Sequence, residues 1–204
     1  MIFRETELDG AWIIEPDLLE DERGFFARTY CEDEFAAHDL ASPMVQGNIS
    51  YTAGAGTIRG MHYQLPPMME AKYIRVLSGA IQDVIVDLRP WSRSYLQHID
   101  VELSASNRLG IYVPPLFAHG HQALTDDVEL SYLVSRSYTP GLERGIRHDD
   151  PRLAIDWRRP VTSLSGKDAA WPDLDKEAVT AEILVAVDES GGSVADPAGL
   201  SPEE

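Results

Sequence analysis

Ile74-Arg75-Val76-Leu77-Ser78-Gly79-Ala80-Ile81-Gln82-Asp83-Val84-Ile85-Val86-Asp87-Leu88 is the stretch whose pattern points to the fold. Its first four residues read as a short strand, and Ser78-Gly79-Ala80 reads as a turn. From Ile81 the chain runs on to Leu88 with Val84, Val86 and Leu88 on one face, the two-residue period of a strand. The pattern recurs on either side. His98-Ile99-Asp100-Val101-Glu102-Leu103 alternates strictly, and Gly110-Ile111-Tyr112-Val113 and Glu129-Leu130-Ser131-Tyr132-Leu133-Val134 are two further segments. Five or more short strands at this spacing, with turn residues between them, predict an all-β sandwich or barrel. Short helices are expected at Glu32 to His38 and within Leu174 to Val187, and no internal repeat is found.

At 204 residues the chain makes one domain, and 44% hydrophobic residues are enough for a sizeable core. The domain is placed at residues 1–187. From Asp188 to Glu204 the residues are small, acidic and poor in large apolar groups, a composition that predicts disorder. The formal charge of -17 repels phosphate backbones, so no nucleic-acid partner is expected. A small phosphorylated ligand stays open if a pocket gathers the few basic residues. No apolar run approaches the roughly 20 residues of a membrane span, and Met1 to Glu7 has no signal-peptide layout. Cys31 is the only cysteine, which excludes an internal disulfide and points to a reducing cytoplasm. Asn48-Ile49-Ser50 matches a glycosylation sequon, read here as chance.

Three groups of residues could do chemistry. The first is Thr57-Ile58-Arg59-Gly60-Met61-His62-Tyr63-Gln64, where His62 and Gln64 would share one strand face. The second is Pro114-Pro115-Leu116-Phe117-Ala118-His119-Gly120-His121, and the third is the scattered set Lys72, Tyr132, Tyr138 and Asp168. Metal binding is the first reading to test, because small cupin-type barrels often hold a metal through a His-x-His pair. Here that pair reads His62-Tyr63-Gln64, and a neutral amide is a poor exchange for an imidazole at a transition metal. His119 and His121 do lie two apart on one face, but a catalytic site needs a third ligand.

Without a metal, a histidine near its ordinary pKa is a general base at neutral pH. A lysine ammonium stabilises a developing oxyanion, and a tyrosine hydroxyl can return a proton from the opposite side. That set matches proton abstraction beside a carbonyl. Each residue also has a plainer reading. A single strand histidine is more often a packing or hydrogen-bonding residue than a base, a tyrosine in an alternating strand is usually core or rim, and Lys72 alone would be a solvated charge. Composition and spacing stop at a β-barrel with a candidate enzyme site.

Five linked strings go further. Asp21-Glu22-Arg23-Gly24-Phe25-Phe26, Arg59-Gly60-Met61-His62-Tyr63-Gln64, Asp83-Val84-Ile85-Val86-Asp87-Leu88-Arg89, Phe117-Ala118-His119-Gly120 and Leu164-Ser165-Gly166-Lys167-Asp168 resemble, in order and spacing, the dTDP-4-dehydrorhamnose 3,5-epimerase family. The resemblance covers roughly residues 1 to 175. It implies an all-β, cupin-like jelly-roll barrel with a few short peripheral helices, a homodimer and no cofactor or metal. The substrate it implies is a dTDP-linked 4-keto-6-deoxyhexose inverted at C3 and C5. By position, His62 would be the base and Asp168 its partner, Lys72 would hold the enolate, and Tyr132 would be the opposed proton donor. Tyr138 is the second choice for that donor. Arg23 and Arg59 would hold the diphosphate, and Gln46, Asn48, His119, Glu143 and Lys167 match further binding positions.

In an ideal strand Arg59 and His62 point to opposite faces, so one site can use both only if a bulge or a strand entry intervenes or if a partner subunit shares residues. Three residues depart from the family pattern. Arg28 stands where Glu is common, Gly47 replaces a usual Asp, and His121 replaces a usual Phe. These departures leave the exact substrate open. The number of centres inverted also stays open, because relatives that invert only C3 or only C5 share the same residues. The alternatives carried forward are a mono-epimerase of antibiotic-sugar biosynthesis, a metal-dependent cupin dioxygenase or isomerase using His119 and His121, a sugar-nucleotide-binding barrel without catalysis, and a 3,4-ketoisomerase.

Overall fold

The structure is a computed structural model that describes residues 1–40 and 43–191. In chain order the elements are β1 (Ile2–Glu5), β2 (Trp12–Glu15), β3 (Leu19–Asp21), β4 (Gly24–Phe26), α1 (Glu32–Ala36), β5 (Gln46–Thr52), β6 (Ile58–Gln64), β7 (Lys72–Ser78), β8 (Ala80–Asp87), β9 (His98–Ser104), β10 (Gly110–Val113), β11 (Phe117–Ala123), β12 (Val128–Val134), β13 (Glu143–Gly145), α2 (Gly166–Ala169) and α3 (Lys176–Glu189). A six-stranded sheet runs β1-β2-β10-β7-β12-β5, a five-stranded sheet runs β13-β6-β11-β8-β9, and β3 and β4 form a separate hairpin. The two sheets face each other as a cupin-like jelly roll, with short helices at the periphery.

The inter-sheet core is built from the inward residues of the segments that alternate in sequence. Ile81 and Ile85 of β8 meet Ile74, Val76, Ile111, Phe117 and Leu130, all buried. Val84, Val86 and Leu88 point the other way and are also fully buried, under Ile146, Leu153, Leu174 and the α3 residues Ile183 and Val187. Both faces of β8 are therefore covered, which explains its near-continuous apolar run. Asp175 caps α3 by accepting from the Ala178 N–H at 3.0 Å. On the outer face of the six-stranded sheet, Phe35 of α1 is fully buried edge-on against Tyr73 and Tyr112. Burying a side chain of that size contributes about 1.5–3 kcal/mol.

Some bounds differ from the sequence reading. The helix expected to reach His38 stops at Ala36. The C-terminal helix runs to Glu189, past the boundary expected at 187, and residues 192–204 of the expected tail lie outside the described residues. Strand β5 reads backwards for a half-buried strand: Gln46, Asn48 and Ser50 face a cavity, while Ile49 and Tyr51 are exposed. Among the described residues no helix is long and apolar enough to cross a membrane.

Candidate active site

A cavity of about 700 Å³ opens between the two sheets. The five-stranded wall supplies Arg59, His62 and Gln64 from β6 and His119 and His121 from β11. The six-stranded wall supplies Gln46 and Asn48 from β5, Lys72 from β7 and Tyr132 from β12. Tyr138, Glu143, Lys167 and Asp168 complete the lining among the residues singled out from sequence.

On β6, Met61 and Tyr63 are buried in the outer core, and His62 faces the cavity. Strict alternation would send Arg59 out with Met61. The ladder to β11 shows why it does not. His119 lies opposite His62 and His121 lies opposite Arg59, so three steps on β6 span two on β11. The extra residue is a bulge in the Gly60-Met61 region, and it turns Arg59 back to the cavity side. Only glycine suits that point: Gly60 has φ +118°, and a Cβ there would lie 2.4 Å from Gly120 Cα and 2.7 Å from the His119 carbonyl oxygen. The expected conflict between Arg59 and His62 is thus relieved within one strand. Arg59 is exposed at the cavity rim, donating from Nε to Thr52 Oγ1 at 3.0 Å and from Nη2 to the Tyr51 carbonyl at 2.9 Å.

Asp168 reaches His62 from 106 residues away. The segment that carries it lies along the start of β6, where the Ile58 N–H donates to the Ser163 carbonyl at 3.0 Å. Ser165 then caps α2 by accepting from the Asp168 N–H at 3.0 Å. Asp168 Oδ1 sits 2.6 Å from His62 Nε2, and Oδ2 accepts from the Gly60 N–H at 3.4 Å. With Nε2 committed to the carboxylate, Nδ1 is the ring nitrogen left to take a proton. Burial holds the His62 pKa below its ordinary value; the Asp168 carboxylate pulls it up and the Lys72 ammonium adds to the lowering. The imidazole is therefore neutral at pH 7 and able to act as a base.

Lys72 enters from the other sheet. Its Nζ donates to the His62 carbonyl at 3.4 Å and pairs with Glu70 Oε1 at 3.2 Å. Glu70 also accepts from Gln64 Nε2, and the Gln64 amide oxygen accepts from the Thr139 N–H at 2.7 Å. Sequence reasoning passed over Glu70, although its place two residues before Lys72 was a usable signal. Tyr132 is half-buried on β12. Burial first, and then the nearby Glu70 carboxylate, raise its pKa and keep the phenol protonated. Tyr138 is exposed at the rim with its hydroxyl 3.4 Å from Glu143 Oε2, and that carboxylate also pairs with Lys167.

A second histidine–carboxylate pair lies on the same wall. His119 Nε2 is 2.8 Å from Oδ2 of Asp83, whose side chain is wholly buried. Asp83 was read from sequence only as part of a string. Beside it His121 is buried, and its pKa is pulled down to about 3, chiefly by burial and then by His119. The His119 and His121 rings are 6.2 Å apart, but no three His, Cys, Asp or Glu residues among those described are grouped to hold an ion. The metal-cupin alternative therefore has no third ligand among them.

Of the expected site residues, Arg23 alone stays out of this cavity. It is exposed at the turn of the β3–β4 hairpin and paired with Asp21. Arg28 is likewise outside, with Nη1 2.8 Å from Glu34 Oε1. Gly47 is exposed on β5, so His121 is the one of the three departures that lines the cavity.

The family model described as dTDP-4-dehydrorhamnose 3,5-epimerase matches residues 5–176. The chain is 39% identical over 180 residues to a dTDP-4-dehydrorhamnose 3,5-epimerase of Methanothermobacter thermautotrophicus, a span of 87% of this chain and 96% of the relative. It is similar to the crystal structure of a dTDP-4-dehydrorhamnose 3,5-epimerase of Bacillus anthracis with TDP and PPi bound, with a TM-score of 0.80, 41% identity, and coverage of 85% of this chain and 99% of that one. It is also similar to a dTDP-6-deoxy-D-glucose-3,5-epimerase of Legionella pneumophila in complex with dTDP-4-keto-L-rhamnose, with a TM-score of 0.81, 34% identity, and coverage of 89% and 96%.

Proposed function

This chain belongs to the dTDP-4-dehydrorhamnose 3,5-epimerase family, and from that footing we propose how its residues carry the reaction. The enzyme is an isomerase that inverts C3 and/or C5 of a dTDP-linked 4-keto-6-deoxyhexose. His62 removes the proton from the carbon beside the C4 carbonyl. The C–H electron pair forms a double bond to C4 and the carbonyl π pair moves to the C4 oxygen, giving an enolate that the Lys72 ammonium stabilises. Tyr132 delivers a proton to the opposite face of that carbon, the carbonyl reforms, and both side chains exchange protons with solvent. Asp168 fixes the His62 tautomer and supports the imidazolium, as the carboxylate of a catalytic triad does. The single observation that carries this reading is that His62 and Tyr132 face one cavity from opposite sheets, with Lys72 beside His62.

Arg59 is assigned to the diphosphate, with Gln46, Asn48, His119, Tyr138, Glu143 and Lys167 around the rest of the ligand. Arg23 is assigned to the cavity of a second copy in a homodimer. Exposed Leu19, Phe25 and Phe26 on its hairpin, and Ile49 and Tyr51 on the edge strand β5, support that assembly. The single thiol fits a cytoplasmic enzyme, and the net charge fits one without a nucleic-acid partner.

The deciding experiment incubates the protein with dTDP-4-keto-6-deoxyglucose in deuterated water and follows C3 and C5 by NMR. Deuterium at both centres is the expected result, and deuterium at C3 or C5 alone would make the enzyme a mono-epimerase. No deuterium at either centre would overturn the assignment.

A further inference from the structure

Trp171 has no part in the chemistry above. It lies three residues beyond Asp168, and its ring meets the His62 ring edge to face, with centroids 6.2 Å apart and planes at 66°. The indole occupies a slot that β13 leaves open. Gly145 is the residue opposite His62 in the β13–β6 ladder. A Cβ on Gly145 would lie 2.3 Å from Trp171 Cε2 and 2.5 Å from Nε1, so a larger residue there would displace the ring. The Lys167 ammonium lies 6.0 Å from the indole and is tied to Glu143. The indole nitrogen is buried without a hydrogen-bond partner. A buried donor left unsatisfied is a cost that calls for a reason. The position of the ring supplies one: its bulk lies against the imidazole.

We propose that Trp171 is a positioning residue for His62, closing the β13 side of the imidazole to water and fixing the ring plane that meets Asp168. The proposal rests on the reading of His62 as the base. The charged and titratable groups that act on or adjoin His62 are Asp168 on α2, Lys72 on β7, His119 and His121 on β11 and Glu143 on β13. Burial is the largest of the influences on the imidazole. Removing the indole admits water and weakens that influence, while the pull of Asp168 persists. The His62 pKa then rises, and the acidic limb of kcat/KM moves to higher pH.

The test is an NMR titration of the full-length enzyme with isotope-labelled histidine, without substrate, with the His62 signals assigned through His62→Asn. In Trp171→Ala the His62 midpoint should rise by about half a pH unit or more, and in Trp171→Phe it should stay within about 0.2 of wild type. The acidic limb of kcat/KM should move with it in Trp171→Ala. An unmoved midpoint in Trp171→Ala would overturn the proposal, and so would an equal shift in Trp171→Phe. Trp171 belongs to none of the core clusters, so truncation removes no side chain of the barrel core. Trp171→Gln, which also wets the slot, carries the same expectation and replaces the alanine variant if that one folds poorly. A midpoint that moves while the kinetic limb stays still would uphold the packing role of Trp171 and count against His62 as the base.

Discussion

Two histidine–carboxylate pairs face each other across the β6–β11 ladder, where His62 and His119 are direct neighbours. Their contact distances are close, 2.6 Å for His62–Asp168 and 2.8 Å for His119–Asp83. Their settings differ. Asp83 is a residue of the barrel itself, wholly buried on β8, and its second oxygen has no partner. Asp168 is brought in by the C-terminal segment on a one-turn helix. The His62 side chain is 29% exposed to the cavity and that of His119 only 12%. His62 also has the Lys72 ammonium against its backbone carbonyl. An imidazole held by a carboxylate is thus not in itself a base. In the mechanism we propose, a neighbouring cation for the enolate and a proton donor on the facing wall give His62 that part, and His119 is assigned to binding.

That contrast can be broken first at the carboxylates. Asp168→Asn keeps the shape and removes the charge, and kcat should fall about 100-fold or more, within the range a general base contributes. Asp83→Asn should lower kcat about tenfold or less on the same scale. Equal losses in steady-state assays would erase the distinction between the pairs. Next comes the facing wall. Tyr132→Phe should slow complete inversion by roughly tenfold to 100-fold while deuterium still enters at C3, because removal of the proton does not need the phenol. Loss of C3 exchange in that variant would mean that Tyr132 has a part in abstraction. His119→Ala should raise KM about tenfold, worth about 1.4 kcal/mol, and leave kcat within a few-fold.

The last effect concerns His121 and is read in stability, not in turnover. Its pKa is near 3 in the folded chain and about 6.5 in an unfolded one. As pH falls below about 6.5 the unfolded state gains a proton that the folded state does not, so stability drops by up to about 1.4 kcal/mol per pH unit. His121→Phe removes this contribution. Between pH 7 and pH 5 the variant should lose about 2 kcal/mol less than wild type, measured by urea unfolding at each pH. Parallel losses would contradict the buried, neutral state of His121.

The strands on β7, β8, β9, β10 and β12 were legible because their alternation reports a buried inner face. Strand β5 was not, because its inward residues are polar where they line the cavity. Strand β13 and the β3–β4 hairpin are three residues per strand, too short for a period to show. Spacing could not join Asp168 to His62 across 106 residues; the resemblance named that pair, and the fold brings it together. The bulge that lets Arg59 share the cavity is one of the routes open to the sequence, and the close approach of Gly60 to Gly120 that goes with it exists only in three dimensions. Glu70 and Trp171 carry no role in the sequence reading, and Asp83 enters it only within a string, because a lone carboxylate or a lone indole reads as ordinary until its neighbours are known.

The most direct measurement is position-resolved deuterium entry at C3 with the substrate above, run side by side for wild type, His62→Ala and His119→Ala. Abstraction by His62 requires that His62→Ala show no entry above the uncatalysed background while His119→Ala still labels C3 at saturating substrate. Normal labelling in His62→Ala, or its loss in His119→Ala alone, would transfer the role of base to the other pair.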